Sequence, residues 1–332
     1  MVAVLEVKKH VRKVRSQRSD LKCERLNQFF VLAKSLKKSL KFKNEAKDGD
    51  WVSVKAMKHK VIVIDKSTFE GINLSRLCSF AGNHFVILPD VLYYECVTDE
   101  KNKERLLERF RAVILAGGYI CPSRNAIIQK EAENLSPYGP LVDFEAVRAV
   151  RQTFQQNSRP YNSKSVKAAY RNEQKMAQMI MDLADGFNEK LISEQPELLA
   201  EVRKWDSSKK IRQERLKTWA EFVDSQDMHN ASKEQLKGIT KFPEKYCLSD
   251  DWMSWHFLRL IFILSTERTF LRHKGGTSGI VPIEHDIQDI TYVLLLSRAN
   301  GLLTQDDGCL YLAKAAFPEK DVFSCIEDVP GS

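Results

Sequence analysis

A chain of 332 residues with 43% hydrophobic and 29% charged side chains holds enough apolar material for one large domain or two of medium size, and its aliphatic and aromatic residues recur too regularly for general disorder. Its 52 Lys and Arg against 44 Asp and Glu leave a net charge of +8, a modest excess that favours an anionic partner such as nucleic acid without requiring one. Seven scattered cysteines with no C-x-x-C pair indicate neither a disulfide framework nor a zinc finger, and point to buried thiols in a reducing compartment.

The positive charge is local. Residues 1–60 carry 17 Lys and Arg against 6 Asp and Glu, so the rest of the chain is close to neutral. Up to about Phe42, Leu26, Phe29, Phe30, Leu32, Leu36 and Leu40 recur at three-to-four spacing, which predicts a basic helical extension over residues 1–55. Arg12, Lys13, Arg15, Arg18, Lys37 and Lys38 on it could track a phosphate backbone, and a solvated or protein-facing surface accounts for them equally. No signal peptide is read at the start. The most apolar window, 252–264, is broken by His256 and Arg259, so no membrane contact and a cytoplasmic location are expected.

From Lys60 the texture changes to alternating strands and helices. Val61-Ile62-Val63-Ile64 is a β-branched run ending in Asp65, the pattern of a buried parallel strand. A helix is expected over 72–81, then a second strand, Phe85-Val86-Ile87-Leu88, closed by Pro89. Asp90 is placed to cap a helix that continues after a break to Leu115, where Gly117-Gly118 stops it, and Tyr119-Ile120-Cys121 makes a third short strand. Residues 125–279 differ in kind. Helical periodicity, many charges and few β-branched runs predict an all-helical insertion, ending in an apolar helix over 251–273. Lys209, Lys210, Arg212, Arg215 and Lys217 form a second basic cluster, again readable as phosphate-tracking or as surface. Lys274-Gly275-Gly276-Thr277-Ser278-Gly279 has the residues of a phosphate loop in the wrong order for a Walker motif, so a connection is expected. The remaining pattern is a helix over 286–300 with Gly301 as its stop, a strand over 302–304, a helix over 308–317 and a strand over 322–326. Strands separated by helices imply a parallel sheet covered on both faces, a three-layer α/β/α architecture.

Such sheets bind ligands at the carboxyl ends of their strands. Acidic side chains fall there: Asp65 after the first strand, Glu95 two turns into the helix after the second, Asp306 and Asp307 after the strand at 302–304. Asp286 and Asp289 stand one turn apart near the start of the preceding helix. Gathered carboxylates repel unless cations neutralise them, and oxygen donors without a Cys or His pattern suit Mg²⁺ or Mn²⁺ and metal-assisted phosphoryl chemistry. Each acid also has a plain structural reading. Asp65 at a strand end is a natural helix cap, Glu95 a solvated helical charge, Asp289 a helix-start carboxylate, and Asp306 a turn residue before Gly308.

The segment Val61-Ile62-Val63-Ile64-Asp65-Lys66-Ser67 resembles the opening of PIN-domain nucleases, where a strand ends in Asp closely followed by Ser or Thr. The run from Val86 to Glu95 is similar to that family's second block, a strand, a Pro and a helix bearing an acid. The run from Asp289 to Asp306 resembles its third and fourth blocks, in which an Asp opens an apolar helix and a Gly leads into a strand ending Thr-x-Asp. The resemblance covers two pieces, 58–123 and 282–329, and divides the chain into a basic extension (1–55), a PIN-like first part (56–124), the helical insertion (125–279) and a PIN-like second part (280–332). It implies that Asp65, Glu95, Asp289 and Asp306 are the catalytic, metal-binding acids, with Asp286 and Asp307 as additional candidates and Ser67 and Thr304 as supporting hydroxyls.

It further implies an endoribonuclease using Mg²⁺ or Mn²⁺, with RNA ahead of DNA as partner. The chain departs from small PIN toxins in its long insertion and in an Asp289–Asp306 spacing one residue short of the family's. A protein partner could dock on the insertion. Two other readings stand beside the nuclease: a non-catalytic PIN-like scaffold that binds nucleic acid or protein, and a phosphohydrolase of small phosphate esters.

Overall fold

The computed structural model describes residues 60–138, 141–156, 206–208, 211–224, 250–273 and 283–330, with isolated helical positions between 168 and 204. Arg12, Lys13, Arg15, Arg18, Lys37 and Lys38, like the glycine-rich stretch 274–279, lie outside the described residues. The described residues of Lys47–Ala177, Asp250–Phe257 and Ile283–Ser332 form one compact unit, and those of Gln178–Ser249 and Leu258–Pro282 form a second.

The first unit is an α/β fold. Strands β1 (Val61–Ile64), β2 (Phe85–Leu88), β3 (Tyr119–Ile120), β4 (Gly301–Leu303) and β5 (Asp321–Phe323) make a five-stranded sheet in the order β3-β2-β1-β4-β5, every pairing parallel. All residues of β1, β2 and β4 are buried, so both faces of the sheet centre are covered. That is why these strands are continuous Val, Ile, Leu and Phe runs with no polar alternation. The edge strands β3 and β5 are only partly buried.

Helices α1 (Lys66–Gly71) and α2 (Leu74–Asn83) connect β1 to β2, and α3 (Asp90–Thr98) and α4 (Lys103–Ala116) connect β2 to β3. The single helix expected over 72–81 is thus two. Asp65 starts the first immediately after β1, and Asn73 starts the second by accepting from the amides of Ser75 (2.9 Å) and Arg76 (3.4 Å). Asp90 is the first residue of α3 and not its cap, a position Pro89 takes. Gly117 ends α4 as the pattern requires: its φ is +133°, and a Cβ there would meet the Ala81 carbonyl at 2.6 Å.

Helices α5 (Arg124–Asn134) and α6 (Phe144–Gln155) also belong to this unit. Glu131 of α5 is fully buried, and its carboxylate accepts from the amides of Tyr138 (3.1 Å), Met253 (2.9 Å) and Ser254 (2.8 Å). A side chain more than a hundred residues upstream therefore satisfies the open amides at the start of a long helix.

Helices α7 (Arg212–Val223) and α8 (Met253–His273) come next in the chain. The helical unit holds α7 and the part of α8 from Leu258 onwards. Its core contains a buried ion pair: Arg215 donates to Glu267 at 2.6 Å, Trp219 Nε1 donates to the same carboxylate at 2.9 Å, and Arg215 also binds the carbonyls of Asp206 and Ser208. Arg215 is consequently an internal residue and presents nothing to a phosphate backbone. Arg259, which interrupts the apolar run of α8, is likewise matched, on Asp224 at 2.5 Å. Among the described residues no helix is long and apolar enough to cross a membrane.

Helix α9 (Ile283–Leu294) opens a turn earlier than the pattern suggests and yields to a 3₁₀ turn at Leu295–Ser297. Gly301, read as the stop of that helix, is instead the first residue of β4. A Cβ there would stand 2.9 Å from Phe323 Cε2 and 3.1 Å from Ile62 Cδ1, so close strand packing sets the residue. Helix α10 (Asp307–Ala316) leads to β5, which spans Asp321–Phe323, short of the 322–326 expectation, and a 3₁₀ turn at Ile326–Asp328 follows.

Candidate functional site

Chain order reverses between β1 and β4. Strands β2 and β3 extend the sheet on one side of β1, and β4 and β5 extend it on the other. The carboxyl ends of β1 and β4 flank this switch point, where a parallel sheet leaves a crevice. Asp65 is the first residue past β1 and Thr304 the first past β4, held in register by the Asp65 amide on the Leu303 carbonyl at 3.2 Å.

A web of short bonds joins the acids there. The buried Thr304 hydroxyl donates to Asp65 Oδ2 at 2.6 Å and accepts from the Asp306 amide at 3.0 Å. The Ser67 hydroxyl donates to the Asp65 carboxylate (2.8 Å to Oδ2) and accepts from the Gln305 amide at 3.0 Å. Asp65 and Asp306 therefore share one corner of the sheet. Both also do the plain structural work weighed against them in the sequence. Asp65 Oδ1 accepts from the Thr68 amide at 2.9 Å and caps α1, and Asp306 Oδ1 accepts from the Cys309 amide at 2.9 Å and caps α10. Capping engages these oxygens without excluding a second role.

Glu95 is buried two turns into α3, and its Oε2 accepts a hydrogen bond from the Tyr292 hydroxyl of α9. Burial pushes the Glu95 carboxyl up to about 7, reinforced by the negative charges of Asp65 and Glu70 and opposed by the Tyr292 bond and Lys66. Asp65 is raised too, by burial, against the pull of its Thr304, Thr68 and Ser67 bonds. Burial would lower the Lys66 ammonium, but the carboxylates of Glu95, Glu70 and Asp99 outweigh it and hold the group charged more firmly. Cys309 is buried in the first turn of α10. Its thiol is driven far up by burial first, then by Asp289, Asp65 and Asp306, whose negative fields all reach this one sulfur.

Asp65, Ser67, Thr304 and Asp306 are thus joined by direct bonds, and Glu95 and Asp289 enter through the electrostatic field. Asp289 is half-buried in the second turn of α9, with Asp286 buried one turn before it. Asp307 is exposed in the first turn of α10. The sequence reading passed over Tyr292, Lys66 and Cys309. Tyr292 carried one available signal, its i, i+3 position relative to Asp289 on a helix.

The donor chemistry fits a hard divalent ion. It consists of carboxylate oxygens, and the two nearby thiols, Cys96 and Cys309, are pushed up by burial and held protonated. Two of these carboxylates, Glu95 and Asp65, are raised toward neutrality, chiefly by burial. In the conformation seen, Asp65 and Glu95 are turned into their hydrogen bonds. Among the described residues no group of three or more His, Cys, Asp or Glu side chains stands close enough to hold a metal ion.

The fold and this corner define an α/β protein with two aspartates, Asp65 and Asp306, bridged by Thr304 at the switch point of its parallel sheet. No protein-family model matches the chain, and no curated protein or solved structure matches it.

Proposed function

We propose that this chain is a PIN-like, metal-dependent nuclease that hydrolyses phosphodiester bonds, with RNA ahead of DNA as its substrate. The observation that carries the reading is the Thr304 hydroxyl, which binds Asp65 and the amide of Asp306 at once. Residues 239 positions apart in sequence meet there, at the place where a parallel sheet takes its ligands. The motifs that resemble the PIN family supply the same residues.

In this reading Asp65, Glu95, Asp289 and Asp306 hold Mg²⁺ or Mn²⁺, and Asp286 and Asp307 add negative charge near it. A bound divalent ion supplies an activated water and a counter-charge for the leaving oxygen of the phosphodiester. The chain's own residues orient the donors. Ser67 and Thr304 fix the plane of the Asp65 carboxylate, and Lys66 offsets the charge of Glu95. No covalent intermediate with the protein is expected when a metal-bound water is the nucleophile. The helical insertion shapes access to the site or recognises a substrate or protein partner.

A second reading has an observation in its favour. A PIN-like scaffold without catalysis would need no ligating array, and none is formed among the described residues. The two separate in one assay. Labelled RNA and DNA are incubated with the full chain in Mn²⁺ or in EDTA, alongside Asp65→Asn. Cleavage that needs Mn²⁺ and disappears in Asp65→Asn is expected. Cleavage indifferent to both is contamination, and no cleavage of either polymer returns the chain to the scaffold or small-phosphate readings.

A further inference from the structure

The helix that carries Asp289 also carries a group that governs Glu95. Tyr292 stands three residues after Asp289 on α9, its ring is 3% exposed, and its hydroxyl donates to Glu95 Oε2 across 197 residues of sequence. Glu95 is itself 7% exposed, and the Tyr292 bond is the one hydrogen bond its carboxylate makes among the described residues. Oε1 is the oxygen left open. A buried glutamate on a helix has three rotatable bonds before its carboxylate plane is set, so a single bond from a wedged ring decides where that plane lies.

We infer that Tyr292 is a positioning residue that fixes Glu95 as a one-oxygen ligand, holding Oε2 and leaving Oε1 for the ion. The inference rests on the proposed metal-dependent reading of the same site. Ligating carboxylates are commonly held by a hydrogen-bonded partner, and loss of such a partner lowers metal affinity about 10–100-fold. The bond also ties α3 to α9, so the acid from the first piece of the chain is held by the helix that carries Asp289. Other internal features carry less. Glu131 and Arg215 each satisfy several partners and are explained by the fold, and Cys309 is a lone buried thiol.

The test is Mn²⁺ binding by the full chain, measured by titration calorimetry and by the rise in unfolding temperature that Mn²⁺ produces. Wild type, Tyr292→Phe and Asp65→Asn are compared. Phenylalanine keeps the ring and removes the bond, so metal-free Tyr292→Phe stays folded with a modest loss of stability. Its Kd for Mn²⁺ weakens about 10–100-fold, and the metal-induced temperature rise shrinks with it. A merely structural tyrosine would lower the metal-free unfolding temperature and leave the Kd within twofold, and that result overturns the assignment while the metal reading stands. Wild type that binds no Mn²⁺, or Asp65→Asn that binds it as tightly as wild type, removes the metal reading and this inference together.

Discussion

Replacing Thr304 by Val preserves a buried, β-branched shape and deletes a single hydroxyl that serves two bonds. One reaches Asp65 Oδ2 at 2.6 Å and the other receives the Asp306 amide at 3.0 Å. A hydrogen bond to an ionised carboxylate contributes about 1.5–3 kcal/mol, and an amide left without its acceptor costs roughly 1 kcal/mol more. The expected loss is therefore about 2–4 kcal/mol, a large part of the ~5–15 kcal/mol that holds a typical domain folded. The assay is urea unfolding at pH 8 of wild type, Thr304→Val, Asp65→Ala and the double variant. Asp65→Ala also forfeits the Ser67 and Thr68 bonds, but these losses appear in the single variant and cancel from the coupling term. The coupling should be about 1.5–3 kcal/mol. A value near zero would mean that the Thr304–Asp65 bond does not join the ends of β1 and β4, and the shared corner would lose its physical basis.

The pH profile of the metal-free protein follows from Glu95. Its carboxyl is pushed from 4.5 to about 7 in the folded state, so between those values the folded chain holds more protons than the unfolded one. Stability in EDTA should then fall as pH rises from about 4.5 to 7, by up to about 3 kcal/mol, with Asp65 acting in the same direction. Glu95→Gln should flatten the profile, and urea midpoints taken across that range check both. Glu131→Ala leaves the buried Met253 amide and the half-buried Tyr138 and Ser254 amides without an acceptor, and a loss of about 3–5 kcal/mol is expected. Fast hydrogen exchange at Met253 and Ser254 should accompany it, whereas unchanged exchange would show that α8 finds its cap elsewhere. In the helical unit, Arg215→Met strands a buried Glu267 and should cost about 3–5 kcal/mol. Adding Glu267→Leu should recover most of that loss, with the fluorescence of Trp219 reporting the change.

The central strands were legible because burial on both faces demands uninterrupted apolar residues, and Val61–Ile64 and Phe85–Leu88 can be little else. The break between α1 and α2 was not. Asp65 and Asn73 are both good caps close together in the chain, and hydrophobic periodicity cannot show that a six-residue helix fits between them. Gly301 misled because glycine means either a helix end or a close approach, and the ring of Phe323 that decides the matter arrives from another strand. Arg215 looked like a surface cation because its neighbours in sequence are charged, while its true partner is 52 residues away.

The acids at strand ends were legible for a geometric reason: parallel strands deliver the residues after them to one edge of the sheet. Asp65 illustrates the limit of that logic. Its carboxylate caps a helix with one oxygen and meets Thr304 with the other, so the capping role is filled without excluding the proposed metal-binding one. Tyr292 stayed hidden because an aromatic residue on a buried helix ordinarily only fills space.

The pairing of β1 with β4 also fixes when the acidic corner can exist. During synthesis β1 emerges early and β2 soon after it, but the other edge of β1 stays open until the residues past Asn300 leave the ribosome. That bare strand edge is an invitation to stray pairing while the nascent chain waits. A chain broken between Glu95 and Asp289 contains Asp65 and Glu95 but neither Thr304 nor Asp306, so the bond that joins the ends of β1 and β4 cannot form in it.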